Sequence, residues 1–317
     1  MSHQDAVLRA PGRSANIEAR RDGPALRRFR TRSGMATPYL LLLPAMLALV
    51  LFFYGPALLS FVGSFFIIPL ARGSWKFAGI NNYLAIVSDP LVIQAAANTL
   101  VYSVATIVPS MVFGLLLALL VERMGRRGWL VKTALILPMA ANLVEMSVVF
   151  KYMFAFQGGL LNQLLGIVGV IPVNWLDETG TSLFSVILVG IWRATSLCVL
   201  LFMAGLTTIP GAIHEATAVE GIRGFAKLRT VTLPMLKPTL LFVTVLSITG
   251  AVQVFEIVDV MTEGGPLGSS ETVLTITQKV GFEYFQVGKA SAMSFILIAV
   301  LMLIGLLGRR RSSEDSR

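Results

Sequence analysis

Five polar side chains stand inside otherwise apolar runs of this chain: Asn142, Glu145, Arg193, Gln253 and Glu256. Ionisable groups are costly in a hydrocarbon environment, so they face a cavity or a protein partner rather than lipid. Asn142 and Glu145 are three residues apart, as are Gln253 and Glu256, a spacing that puts each pair on one helix face. Arg193 lies in mid-run beside Trp192. Amides and carboxylates suit the hydroxyls of a polar solute and aromatic faces pack on its C–H surfaces, so these residues could line a passage. Alternatively, they pair with one another or with a neighbouring subunit to hold helices together.

Bond-making chemistry has little to stand on. No G-x-x-x-x-G-K-[ST] segment occurs, and Gly125-Arg126-Arg127-Gly128 is too short to wrap phosphates and lacks the following Lys-Ser or Lys-Thr. His214 and His3 are the only histidines, and neither has a partner at metal-ligand spacing, so no metal site is predicted. The single cysteine, Cys198, sits in an apolar run and reads as a small core residue. No G-x-S-x-G elbow is present, and a membrane-embedded enzyme would need a constellation the sequence does not offer.

The elements that must position these residues follow from composition. The 317 residues are 55% hydrophobic and 14% charged, against about 25% charged in soluble domains. With a mean hydropathy of +0.77, this excludes both an ordinary soluble globule and a disordered chain. Apolar runs near Tyr39–Phe65, Val92–Val121, Leu130–Phe154, Leu183–Leu206, Leu236–Val258 and Ala290–Leu307 predict six membrane-spanning helices and an all-α integral membrane fold. A cleaved signal peptide is the rival for the first run, but its basic segment and apolar core are both too long. The predicted organisation is a basic, disordered tail over 1–34, a six-helix domain over 35–308 and a short tail over 309–317.

Orientation follows from lysines and arginines, which are enriched on the cytoplasmic side. Eight arginines precede residue 33, and Arg123, Arg126, Arg127 and Lys132, then Arg223, Lys227, Arg229 and Lys237, then Arg309, Arg310, Arg311 and Arg317 fall in alternate connections. The other connections hold only Arg72, Lys76, Lys279 and Lys289. Both termini and His214 are therefore expected in the cytoplasm, with Thr181 and Ser269 outside. The net charge of +9 is explained by this bias, and no nucleic-acid partner is expected.

Between the fourth and fifth runs, residues 209–234 are too polar to span a membrane and too patterned for a linker. Two short helical segments are predicted around Gly221, a residue free to make a sharp turn. Ile222, Phe225, Leu228 and Thr232 recur at helical spacing while Arg223, Lys227 and Arg229 can face water. Such an element suits a groove on another protein.

Glu215-Ala216-Thr217, Gly221 and then Val231, Leu233 and Pro234 resemble the EAA loop of permease subunits of binding-protein-dependent ABC importers, with Thr217 where alanine is usual. Phe77-Ala78-Gly79-Ile80-Asn81-Asn82-Tyr83, Asn98-Thr99, the run from Asp259 to Gly264-Gly265-Pro266, and Gly288-Lys289-Ala290-Ser291-Ala292 are similar to further segments of that family, of its carbohydrate and glycerol-phosphate type. The resemblance implies a permease of the bacterial inner membrane that forms half of a translocation pathway. Its partners would be a second homologous permease, two ATPase subunits, an extracytoplasmic solute-binding protein and membrane lipid. Glu215, Ala216, Thr217, Gly221, Leu233 and Pro234 would couple it to the ATPase. ATP and Mg would bind there, and this chain would hold no cofactor and catalyse nothing. An ion-coupled secondary transporter is the alternative; it would require inverted repeats and intramembrane acids, and it has no use for an EAA loop.

Overall fold

Prolines and capping side chains set where the helices of this chain begin and break. The computed structural model describes residues 36–69 and 74–314; the tail expected over 1–34 lies outside the described residues. In chain order the helices are α1 (Ala36–Leu49), α2 (Gly55–Gly63), α3 (Asn81–Val87), α4 (Pro90–Met124), α5 (Trp129–Ala140), α6 (Leu143–Met153), α7 (Leu160–Ile167) and α8 (Ser182–Thr207). They continue as α9 (Gly211–Val219), α10 (Gly224–Lys227), α11 (Leu233–Met235), α12 (Lys237–Val252), α13 (Glu256–Met261), α14 (Val273–Gln278) and α15 (Val287–Glu314). A two-residue hairpin pairs β1 (Phe66–Ile67) with β2 (Lys76–Phe77), Phe66 opposite Phe77.

Two compact units divide the chain at Gly55. In the first, α1 carries Pro44 inside it and passes into a wider π turn at Val50–Tyr54. The apolar side chains from Tyr39 to Tyr54 are exposed, as lipid-facing residues are.

The second unit is built on α4 and α8. Asp89 accepts a hydrogen bond from the Leu91 amide at 3.0 Å and Pro90 opens the helix, so α4 starts sharply. Small residues let α4 and α8 approach closely, as in membrane helix pairs. A β-carbon at Gly114 would overlap Cys198, and one at Gly190 would overlap the Tyr102 ring. The Ser110 hydroxyl donates to the Ile191 carbonyl at 3.2 Å. Residue numbers rise together along both helices, so the pair is parallel. α12 runs the other way along α8: Ser247 lies beside Cys198, while Thr239 and Leu236 lie beside Gly205.

Among the described residues four helical runs are long and apolar enough to cross a membrane: Tyr39–Gly63, Pro90–Met124, Ser182–Thr207 and Val287–Gly308. Two of the six predicted spans are not single helices. The run expected over Leu130–Phe154 is α5 and α6, bent by 100°. Pro138 withholds an amide from the end of α5, and Ala141 and Asn142 turn extended before the Asn142 side chain caps α6 at the Val144 amide, 3.0 Å away. The run expected over Leu236–Val258 is preceded by a 73° bend and ends at Val252. The chain then turns α13 inward to bury Ile257, Val258 and Met261 against Met146 of α6 and Val186 and Val189 of α8. Core packing overrides the continuous apolar pattern there. α15 also continues past the predicted boundary, to Glu314.

Candidate functional site

The segment after α8 folds as the spacing around Gly221 predicts, and hydrogen bonding explains why. Pro210 holds an extended backbone ahead of α9. At the other end the Ile222 amide donates to the Thr217 carbonyl at 2.9 Å and the Gly221 amide to the Ala218 carbonyl at 3.2 Å. This is the paired 6→1 and 5→2 closure of a Schellman turn, which needs a left-handed residue. Gly221 supplies it with φ of +73°. A β-carbon there would meet nothing within 4 Å, so the backbone angle, not crowding, selects glycine.

α9 presents Glu215, Ala216, Ala218 and Val219 to the outside, Val219 being 89% exposed. Thr217 is turned inward, and its hydroxyl donates to the His214 carbonyl at 2.9 Å. α10 follows, with Phe225 75% exposed, and a π turn over Leu228–Thr232 leads to Leu233 and Pro234 in α11. The surface that emerges is small and apolar, edged by Glu215, Arg223 and Arg229.

The five polar residues expected within the spans do not share one place. Asn142 and Glu145 border a cleft of about 680 Å³ between α6 and α8, along with Phe150 and Trp192, whose rings meet edge to face at 5.1 Å. Asn142 is the cap ahead of α6 rather than part of the helix, yet it and Glu145, one turn on, border the one cleft. Gln253 and Glu256 border a different cleft, of about 720 Å³, with Ser60, Thr277, Gln278 and Ser291. They are likewise not on one helix, because Gln253 ends α12 and Glu256 opens α13. Arg193 lines neither; its Nε is buried with no hydrogen-bond partner, and the guanidinium lies within electrostatic range of Glu256.

Sequence reasoning treated residues 259–289 as a connection. The structure finds α14 there, whose Thr277 and Gln278 reach the Gln253 cleft. It also joins motifs that are far apart in the chain. Asn98 Nδ2 donates to the carbonyls of Gly268 and Glu271, both at 2.9 Å, and the Val273 amide donates to Thr99 Oγ1 at 2.9 Å. Lys279 Nζ donates to the Glu271 carboxylate at 2.6 Å and to the Glu263 carbonyl at 2.7 Å. The Asn-Thr pair and the Gly-Gly-Pro loop are thus one structure. Asn82 and Tyr83 similarly clamp the end of α2, through the Ser64 and Phe66 carbonyls and the Ser64 hydroxyl.

Thr181 and Ser269 lie at one end of the second unit, where the Ser182 and Ser269 hydroxyls are 2.7 Å apart. His214 lies at the other end, beside Arg123 and Lys227. Among the described residues no group of three or more His, Cys, Asp or Glu could hold a metal ion.

Comparison with known proteins bears on this arrangement at three levels. The chain is 30% identical over 267 residues to the trehalose/maltose transport system permease protein MalF of Thermococcus litoralis, covering 84% of this chain and 89% of that protein. It is 31% identical over 270 residues to the sn-glycerol-3-phosphate transport system permease protein UgpA of Pectobacterium atrosepticum, covering 85% and 90%. In fold it matches a chain of a bacterial alginate ABC transporter solved in complex with an alginate pentasaccharide-bound periplasmic protein, with a TM-score of 0.76 at 20% identity over 88% of this chain and 95% of that one. Residues 97–310, from the Asn98-Thr99 pair through the α9–α10 hairpin to α15, match the family described as binding-protein-dependent transport system inner membrane component, and the chain belongs to that family.

Proposed function

We propose that this protein is a permease subunit of an ATP-driven ABC importer for a sugar, a polyol or a glycerol-phosphate-type solute, and that the α9–α10 hairpin is its EAA coupling loop. The relatives that carry sugars and glycerol phosphate support the solute class. The observation that carries the coupling role is the hairpin itself: a helix held by a Schellman turn at Gly221 that leaves Glu215 and Ala216 exposed. A rigid, solvent-facing knob suits a groove on an ATPase subunit. ATP and Mg belong to that subunit, and a second permease and a solute-binding protein complete the assembly.

In this reading each bent pair counts as one crossing, which makes six. The parallel packing of α4 and α8 supports it, because two parallel spans require the chain between them to cross back. The hairpin end, with Arg123, Lys227 and Arg229, is then cytoplasmic by the positive-inside rule and both termini lie with it. Glu145, Gln253 and Glu256 contribute to the solute pathway, with Arg193 setting the charge beside Glu256. The docking hairpin favours this reading over an ion-coupled carrier.

Glu215→Lys reverses a charge on the exposed face, and Gly221→Val puts a β-branched residue at a positive φ. Both variants should insert and assemble but lose solute-stimulated ATP hydrolysis and uptake. Wild-type values of both in the assembled variants would show that the hairpin does not couple.

A further inference from the structure

We propose that the cleft between the foot of α4 and α10 is a binding site for the headgroup of an anionic phospholipid. The cleft measures about 580 Å³ and brings Arg123 from the last turn of α4 together with Lys227 of α10 and His214 of α9. Glu122 shares its rim, so two fixed cations stand against one carboxylate. Among the described residues neither Arg123 nor Lys227 has an ion-pair partner. Leading away from the cleft, α4 presents Phe113, Leu116 and Leu120, 51%, 53% and 53% exposed, at helical spacing on one face.

A phosphodiester with acyl chains matches both parts. The guanidinium and ammonium take the phosphate oxygens in charge-assisted hydrogen bonds, and the chains lie along the apolar stripe. A soluble phosphate would use the cations and leave the stripe bare. Basic pockets between membrane helices on the cytoplasmic side are where anionic headgroups bind, so the site rests on the reading that this end of the protein is cytoplasmic. It adjoins the coupling hairpin at Gly224, Phe225 and Lys227 of α10, while Glu215 and Ala216 of α9 do not line the cleft.

The test uses the full chain in neutral detergent, incubated with phosphatidylglycerol or phosphatidylcholine of identical acyl chains, with lipid retained per chain counted by native mass spectrometry. The wild type should retain phosphatidylglycerol preferentially. In the double variant R123Q/K227Q that preference should fall by about twenty-five-fold, since each cation near the surface contributes on the order of a fivefold preference. R123K/K227R should restore it, and R223Q/R229Q, outside the cleft, should leave it unchanged. An undiminished preference in R123Q/K227Q overturns the site. Displacement of the phospholipid by millimolar inorganic phosphate overturns the lipid as occupant in favour of a free anion. Unchanged lipid retention with weakened ATPase binding in the same variant assigns the cleft to protein docking instead. None of these readouts depends on uptake, so failure here and failure of the coupling reading are told apart.

Discussion

Single glycines decide how closely the central helices meet. Gly114 faces Cys198 so tightly that any β-carbon needs the helices to part, and Cys198, at 0% exposure, has no room to yield. Gly114→Val should therefore destabilise the folded chain by about 1–3 kcal/mol, as overpacking does, and lower its thermal midpoint in detergent. At the opposite end from the hairpin, Lys289 donates to the Asp89 carboxylate at 2.6 Å and ties α15 to the first turn of α4. That hydrogen bond holds the Asp89 carboxyl below the usual carboxylate range. A group with a lowered folded-state pKa stabilises above its unfolded value and loses that contribution as pH falls through the folded one. Acidification below the usual carboxylate range should thus weaken the α4–α15 tie, and Lys289→Met should flatten that acid limb in a plot of thermal midpoint against pH. An unchanged acid limb in the variant would show that the pair adds nothing to stability.

At the level of elements, the loop between α13 and α14 is held by side chains rather than by its own secondary structure. Positive φ at Glu263, Gly264, Gly265, Leu267 and Gly268 gives it its path, and Asn98 fastens it to α4 through two carbonyls. Asn98→Ala removes both bonds, and hydrogen–deuterium exchange over residues 264–272 should speed up while exchange in α8 stays unchanged. Apolar runs make the four single-run spans legible to within about three residues, because lipid-facing helices need only length and hydropathy. Of the two breaks only the first carries a local signal, masked by the continuous apolar run around it. Pro138 announced the bend after α5, but nothing local ends α12 at Val252; the cause is the burial of Ile257, Val258 and Met261 against α6 and α8. α13 and α14, six residues each, are too short and too mixed in polarity to give a period. Gly221 was legible because a left-handed turn selects glycine by backbone geometry alone. The inward turn of Thr217 was hidden, since it depends on how α9 sits.

At the largest scale, the two ends of the second unit are distinguished by charge and by which loops gather there. Thr181 and Ser269 share one end and His214 lies at the other. In a Cys198→Ser background, cysteines placed at 181 and 269 should react with an impermeant reagent from the same side of the membrane, and one at 214 from the opposite side. Labelling of 269 and 214 from one side would break the six-crossing topology. The polar intramembrane residues occupy two clefts, so their truncations should not behave alike. Gln253→Ala, in the cleft rich in hydroxyls and amides, should lower uptake per assembled complex several-fold, whereas Glu145→Ala, beside a mostly apolar cleft, should lower it less. Equal uptake per complex in wild type and Gln253→Ala would remove Gln253 from the pathway.

Because α4 and α8 are neighbours in space but not in sequence, the order of synthesis carries a hazard. Along one side of α4 run Thr99, Tyr102, Ser103, Thr106 and Ser110, all buried in the finished protein. While the ribosome is still making residues 125–181, α8 does not yet exist, and Tyr102 and Ser110 lack the Gly190 and Ile191 backbone they meet in the finished protein. A nascent chain stalled before Ser182 therefore offers a hydroxylated seam to lipid, at the stage when membrane quality-control proteases can sample it. Rapid translation through α5, α6 and α7 shortens that interval.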